Sequence, residues 1–180
     1  MPLTSHAPAA PGPDGFLDRG AQSTRLEAFV DAAFAFALTL VVIAGNDIPA
    51  SVDALVLAMK AVPAYAASFL LIMRFWFAHG DWSRRYGLDD ATSRRLSVLL
   101  VFLVLIFVYP MRMVFSSLFS ALSGGFLPTT FSIDSHSDVS AMFIMFAVAF
   151  GVMGLVMVAL YAHAWRQRDA LGLSLVERAN

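Results

Sequence analysis

The chain has 180 residues and a formal net charge of -1, and is 59% hydrophobic, 14% charged and 13% aromatic. Ordinary soluble domains carry roughly 45–50% apolar and about 25% charged residues, so this balance suits a chain whose solvent is mostly lipid. The near-neutral charge excludes the broad basic face that nucleic-acid binding needs. The absence of cysteine excludes disulfides, thiol catalysis and Cys-based zinc sites.

Residues Met1 to Gly20 are rich in Pro, Ala and Gly and contain no apolar run. They lack the basic-then-apolar order of a secretory signal and read as a disordered cytoplasmic tail. Crossing the bilayer takes about 20 mostly apolar residues per helix. Four segments meet that need: Leu26 to Gly45, Ala54 to Ala78, Leu96 to Leu118 and Val139 to Trp165. The intervening Gly124 to Phe131 is apolar but short and carries Gly124, Gly125 and Pro128, which fits a loop resting on the membrane better than a re-entrant turn. The expected fold is therefore all-α and polytopic: a tail over 1–20, a membrane domain over 21–168 and a second tail over 169–180.

Orientation follows from the basic residues. Arg19 and Arg25 precede the first span, Arg84, Arg85, Arg94 and Arg95 separate the second from the third, and Arg166, Arg168 and Arg178 follow the fourth. The opposite loops carry Asp47, Asp53, Asp134 and Asp138, with Lys60 the nearest basic residue. Both termini are therefore expected in the cytoplasm. Trp76, Trp82, Tyr86, Tyr161 and Trp165 fall at the same boundary, where aromatic rings favour the interface.

Within the spans, Asp31 is an isolated carboxylate about one turn inside the first helix, with Arg25 and Arg74 as its nearest expected partners. It reads equally as part of an ion path and as a structural pair. Arg112 follows Pro110 near the outer end of the third span and is expected to snorkel outward. His79 and His163 fit interfacial hydrogen bonding better than metal binding, since no third ligand accompanies them. Thr39 is expected to bond back to the carbonyl one turn earlier. No nucleophile–base pair or paired carboxylates occur in a span, which argues against an enzyme.

The segment Arg25-Leu26-Glu27-Ala28-Phe29-Val30-Asp31, running into an apolar helix with Thr39, resembles the first helix of the transmembrane protein 175 family, the lysosomal potassium channels and their bacterial homologues. Tyr65 to His79, ending in Phe75-Trp76 and His79, looks like that family's second helix. The family's motif has Ser where this chain has Val30. Its bacterial members usually have six spans. The resemblance implies a potassium-permeable channel built as a homo-oligomer in the lipid bilayer, a tetramer by analogy, with no cofactor. Its pore would be lined by the first helix at Phe36, Thr39, Leu40 and Ile43. Arg25, Phe29, Asp31, Trp76 and His79 would form the network at the cytoplasmic side. Phe36 stands where relatives usually carry Ile or Leu, which would narrow the constriction. The alternative is a non-conducting partner or regulatory subunit of the same fold. A prokaryotic plasma membrane is the expected location.

Overall fold

The structure, a computed structural model, describes residues 12, 15–20, 23–43, 48–129, 131 and 135–179, without the side chains at 42, 43 and 179. The helices are α1 (Arg25–Ile43), α2 (Val52–Lys60), α3 (Val62–Tyr86), α4 (Ala91–Leu122), α5 (His136–Arg166) and the short α6 (Leu175–Ala179). Their starts follow local chemistry. Thr24 and Glu27 exchange side-chain-to-backbone hydrogen bonds of 3.2 and 2.8 Å at the start of α1, a capping box that satisfies orphan donors. Asp90 caps α4 by accepting from the backbone N–H of Thr92 and Ser93. Ser135 and Asp138 form a second capping box on α5.

α4 and α5 are each long and apolar enough to cross a membrane, and α2 with α3 makes a third such unit, bent by 42°. The expected unbroken second span is therefore two helices. Pro63 lies at the first turn of α3, where it has no N–H to give and its ring crowds the carbonyl a turn earlier. The helices at the other expected segments begin and end within a few residues of the expected limits, with α4 longer by about a turn at each end and α5 by about a turn at its start.

α4 packs against α5, α1 and α3, and α1 also packs against α3. The buried stripe of α4 runs Leu100, Val101, Val104, Val108, Met111 and Val114, which is helical spacing. It meets Val30, Phe34, Ala37 and Val41 of α1, and Met153, Val156, Met157 and Leu160 of α5. Much of the outer surface stays apolar, including Phe102 and Ile106 on α4 and Ile144, Val148, Leu155 and Val158 on α5. A chain solvated by hydrocarbon has no reason to hide such side chains.

Contacts between helix ends fix the topology. The start of α1 meets the end of α3 through Ser83 and Glu27. His79 of α3 meets Ser97 of α4, and Asp90 meets His163 of α5. α1, α3, α4 and α5 thus run up, down, up and down, with the arginine-rich segments gathered at one end.

Gly15 to Gly20 does not match the disorder expected over 1–20. Phe16 is buried, and the backbone N–H groups of Arg19 and Gly20 both donate to the carbonyl of Arg84 at 3.0 Å. Residues 1–11 lie outside the described residues.

Candidate functional site: the outer face of α1 and the polar end of the bundle

With Val30, Phe34, Ala37 and Val41 turned into the core, the opposite face of α1 is left uncovered by the chain itself. That face carries Ala28, Phe29, Ala32, Ala35, Phe36 and Thr39, all exposed and spaced as one helical stripe. Phe36 is 56% exposed. The Thr39 hydroxyl donates to the carbonyl of Ala35 at 3.0 Å, the back-bond expected from its place in an apolar helix. Leu40 lies on the flank, half-buried and packed against the core. The side chain of Ile43 lies outside the described residues.

At the arginine-rich end, α1 is tied to α3 twice. Trp76 Nε1 donates to Asp31 Oδ1 at 2.8 Å, and the Ser83 hydroxyl donates to Glu27 Oε1. Neither Arg25 nor Arg74 pairs with Asp31 among the described residues. A neutral indole donor takes that role. Glu27 accepts from Thr24 with its second oxygen, so one side chain both caps α1 and fastens it to α3. Between these two helices lies an open cleft of about 380 Å³ walled by Glu27, Asp31, Trp76, His79, Asp81 and Arg84 among others.

His79 is buried with its Nε2 at 2.9 Å from Ser97 Oγ, which extends the ties from α3 to α4. Trp82 is fully buried and donates to the carbonyl of Leu160 at 3.0 Å. Its place in the core corrects the expectation of an interfacial ring. Of the five residues expected to form one network, Asp31 and Trp76 are joined directly and His79 lies one turn along α3. Arg25 and Phe29 stand apart, lining a second cleft with Leu26, Asp89, Arg94 and Val98 on the α4 side of α1. Glu27, Ser83 and Ser97 were missed by sequence reasoning. The Thr24–Glu27 spacing was a readable cap signal; nothing local marks the two serines.

Elsewhere, Asp90 Oδ2 lies 2.7 Å from His163 Nε2. Partial burial pushes the Asp90 carboxyl up, but the His163 bond and the Ser93 and Thr92 N–H groups together hold it below its usual value. At the opposite end, Arg112 of α4 meets Tyr65 of α3. Its guanidinium lies 4.4 Å from the centre of the Tyr65 ring and donates to the Tyr65 hydroxyl at 2.6 Å. Among the described residues no group of three or more His, Asp or Glu is placed to hold a metal ion.

The model of the family described as "Endosomal/lysosomal potassium channel TMEM175" matches residues 25–110. A protein named "Potassium channel" from Marivirga tractuosa is 30% identical over 167 residues, covering 90% of this chain and 67% of that protein. A crystal structure of a threonine-to-alanine variant of the potassium channel MtTMEM175, in complex with a nanobody–MBP fusion, superposes with a TM-score of 0.83 at 28% identity. The match covers 94% of this chain and 74% of that one. These likenesses place the chain among transport proteins rather than enzymes, as a multi-pass membrane protein. The chain belongs to the TMEM175 potassium-channel family.

Proposed function

We propose that several copies of this chain assemble into a potassium-permeable channel whose path is lined by the outer face of α1. Four spans cross the bilayer in this reading, with α1 as the first and the bent α2–α3 pair as the second. At 19 residues α1 covers about 28 Å, close to the roughly 30 Å hydrocarbon thickness. Residues 21–168 form the membrane part, and the arginine-rich end faces the cytoplasm with both termini.

The observation that carries the reading is the contrast between two uncovered helix faces. The outward face of α5 is bulky and apolar, with Phe143, Ile144, Met145, Val148, Leu155 and Val158. The outward face of α1 instead carries alanines with Asp31, Phe36 and Thr39. Lipid rewards the first composition; polar groups at membrane depth belong in a water-filled path or against another helix. Small residues let neighbouring helices come close. Phe36, Leu40 and Ile43 then form the apolar constriction, which gates by dewetting, and Thr39 supplies a hydroxyl beside it. One α1 cannot enclose a path, so the channel requires a symmetric assembly, a tetramer in the simplest case. Asp31, Trp76 and His79 hold the inner end of α1 on the α3 side, and Arg25 and Phe29 flank it on the α4 side.

The test is potassium-driven flux into liposomes containing purified protein, comparing wild type with Phe36→Ala. Flux that rises several-fold on truncating Phe36 is the expected result, because a wider apolar constriction wets more readily. Folded, oligomeric protein that conducts in neither form would favour the non-conducting subunit.

A further inference from the structure

We propose that residues 15–20 and the C-terminal segment 171–178 form a clasp that sets the position of the N-terminal end of α1. The centre of the clasp is Glu177, whose side chain is 0% exposed, against Arg19 at 15%. The guanidinium grips both carboxylate oxygens, at 2.6 and 3.0 Å, the bidentate geometry that makes an Arg–carboxylate pair directional. Each partner makes further bonds, some of them across the two segments. Glu177 also accepts from the backbone N–H of Leu17 and Ser174. Arg19 also donates to the carbonyls of Arg85 and Leu171. Apolar contacts seal the edge: the Arg85 guanidinium lies 4.6 Å from the centre of the Phe16 ring, and Phe16 meets Tyr86 edge-on.

The backbone is built for this crossing. A Cβ at Gly20 would meet the Ser83 carbonyl at 2.7 Å, and one at Gly87 would meet the Arg19 carbonyl at 2.7 Å. Gly87 also has φ +57, which side chains rarely adopt. Two glycines therefore let the strap cross the end of α3 at backbone contact. Four residues after Gly20, α1 begins at its Thr24 cap, and Ser83, beneath the strap, is the residue that bonds Glu27. The C-terminal segment is thereby coupled to the first turn of α1 through a short connected path. Any influence of the clasp on ion flow rests on the channel reading; the clasp itself does not.

The experiment is hydrogen–deuterium exchange on the full chain in detergent micelles, comparing wild type with Glu177→Ala, Arg19→Ala, the double variant and Arg178→Ala. Arg178 belongs to the same segment, but its side chain bonds Asp169 and the Leu173 carbonyl on the C-terminal side and takes no part in the Arg19–Glu177 pair. Each clasp variant should accelerate exchange about tenfold or more both at 172–178 and at 17–28. The double variant should be no worse than the worse single, because the two side chains act as one unit. Arg178→Ala should leave 17–28 unchanged. Should Glu177→Ala fail to fold, Glu177→Gln, which keeps the shape and loses the charge, gives the same comparison at smaller amplitude. Faster exchange confined to 172–178, with 17–28 as in wild type, would overturn the proposal. Strictly additive effects of the two single substitutions would overturn it as well.

Discussion

Trp76 and Asp31 lie 45 positions apart in sequence, and the indole of the first donates to the carboxylate of the second at 2.8 Å. The bond ties α3 to α1 near the start of α1, where an unpartnered polar side chain is costly. An indole N–H satisfies one lone pair without adding a second charge. Asp31 lines the cleft that also contains Glu27 and Asp81.

Trp76→Phe removes the donor and keeps most of the ring. Because Asp31 is exposed in the single chain, the expected cost is modest, about 1 kcal/mol. A lowered thermal midpoint in detergent checks it. Asp31→Asn should cost less than Trp76→Phe, since the amide oxygen still accepts from the indole.

Trp82 is a different matter, being fully buried between α3 and α5 and bonded to the Leu160 carbonyl. Trp82→Ala should destabilise by about 4 kcal/mol, the usual range for emptying a large aromatic site. Denaturant or thermal unfolding followed by the other two tryptophans measures it. A loss no larger than that of Trp76→Phe would contradict the core placement of this ring.

Much of the fold was legible because lipid imposes simple rules. Long apolar runs gave α4 and α5 nearly in full, and the arginine distribution gathered the correct helix ends together. Pro63 was equally visible, yet a hydropathy reading averages over it and joins α2 to α3. The site was less legible. Phe36 and Thr39 share the exposed face of α1 as their spacing demands, but the partner of Asp31 was expected among arginines. Charge in a sequence suggests ion pairs, whereas an indole 45 positions away gives no such signal. The clasp was hidden for a related reason. A tail rich in Pro, Ala and Gly looks disordered, and no local signal shows that Arg19 meets Glu177 across 158 positions.

Acid should open the clasp. The Arg19 guanidinium, foremost, with the Leu17 and Ser174 N–H groups, holds Glu177 well below the usual carboxylate range, at about 2 against 4.5. A group whose folded pKa is lowered contributes stability that is complete above about pH 4.5 and disappears as the pH falls toward 2. Exchange at 172–178 should therefore be flat from neutral pH to about 5 and accelerate below that, after correction for the intrinsic rate. Glu177→Gln should abolish this pH dependence. The Asp90 carboxyl, also held low, contributes in the same direction through the α4 cap.

The central claim is that the outer face of α1 borders the ion path while the outer faces of α4 and α5 meet lipid. The absence of native cysteine allows single thiols to be placed without background. Thr39→Cys and Phe102→Cys, on the exposed faces of α1 and α4, are reconstituted in liposomes and treated with a membrane-impermeant charged thiol reagent during potassium flux. Flux through Thr39→Cys should fall by most of its value, while flux through Phe102→Cys should be unaffected. Block at Phe102→Cys with none at Thr39→Cys would place the path elsewhere and contradict the account.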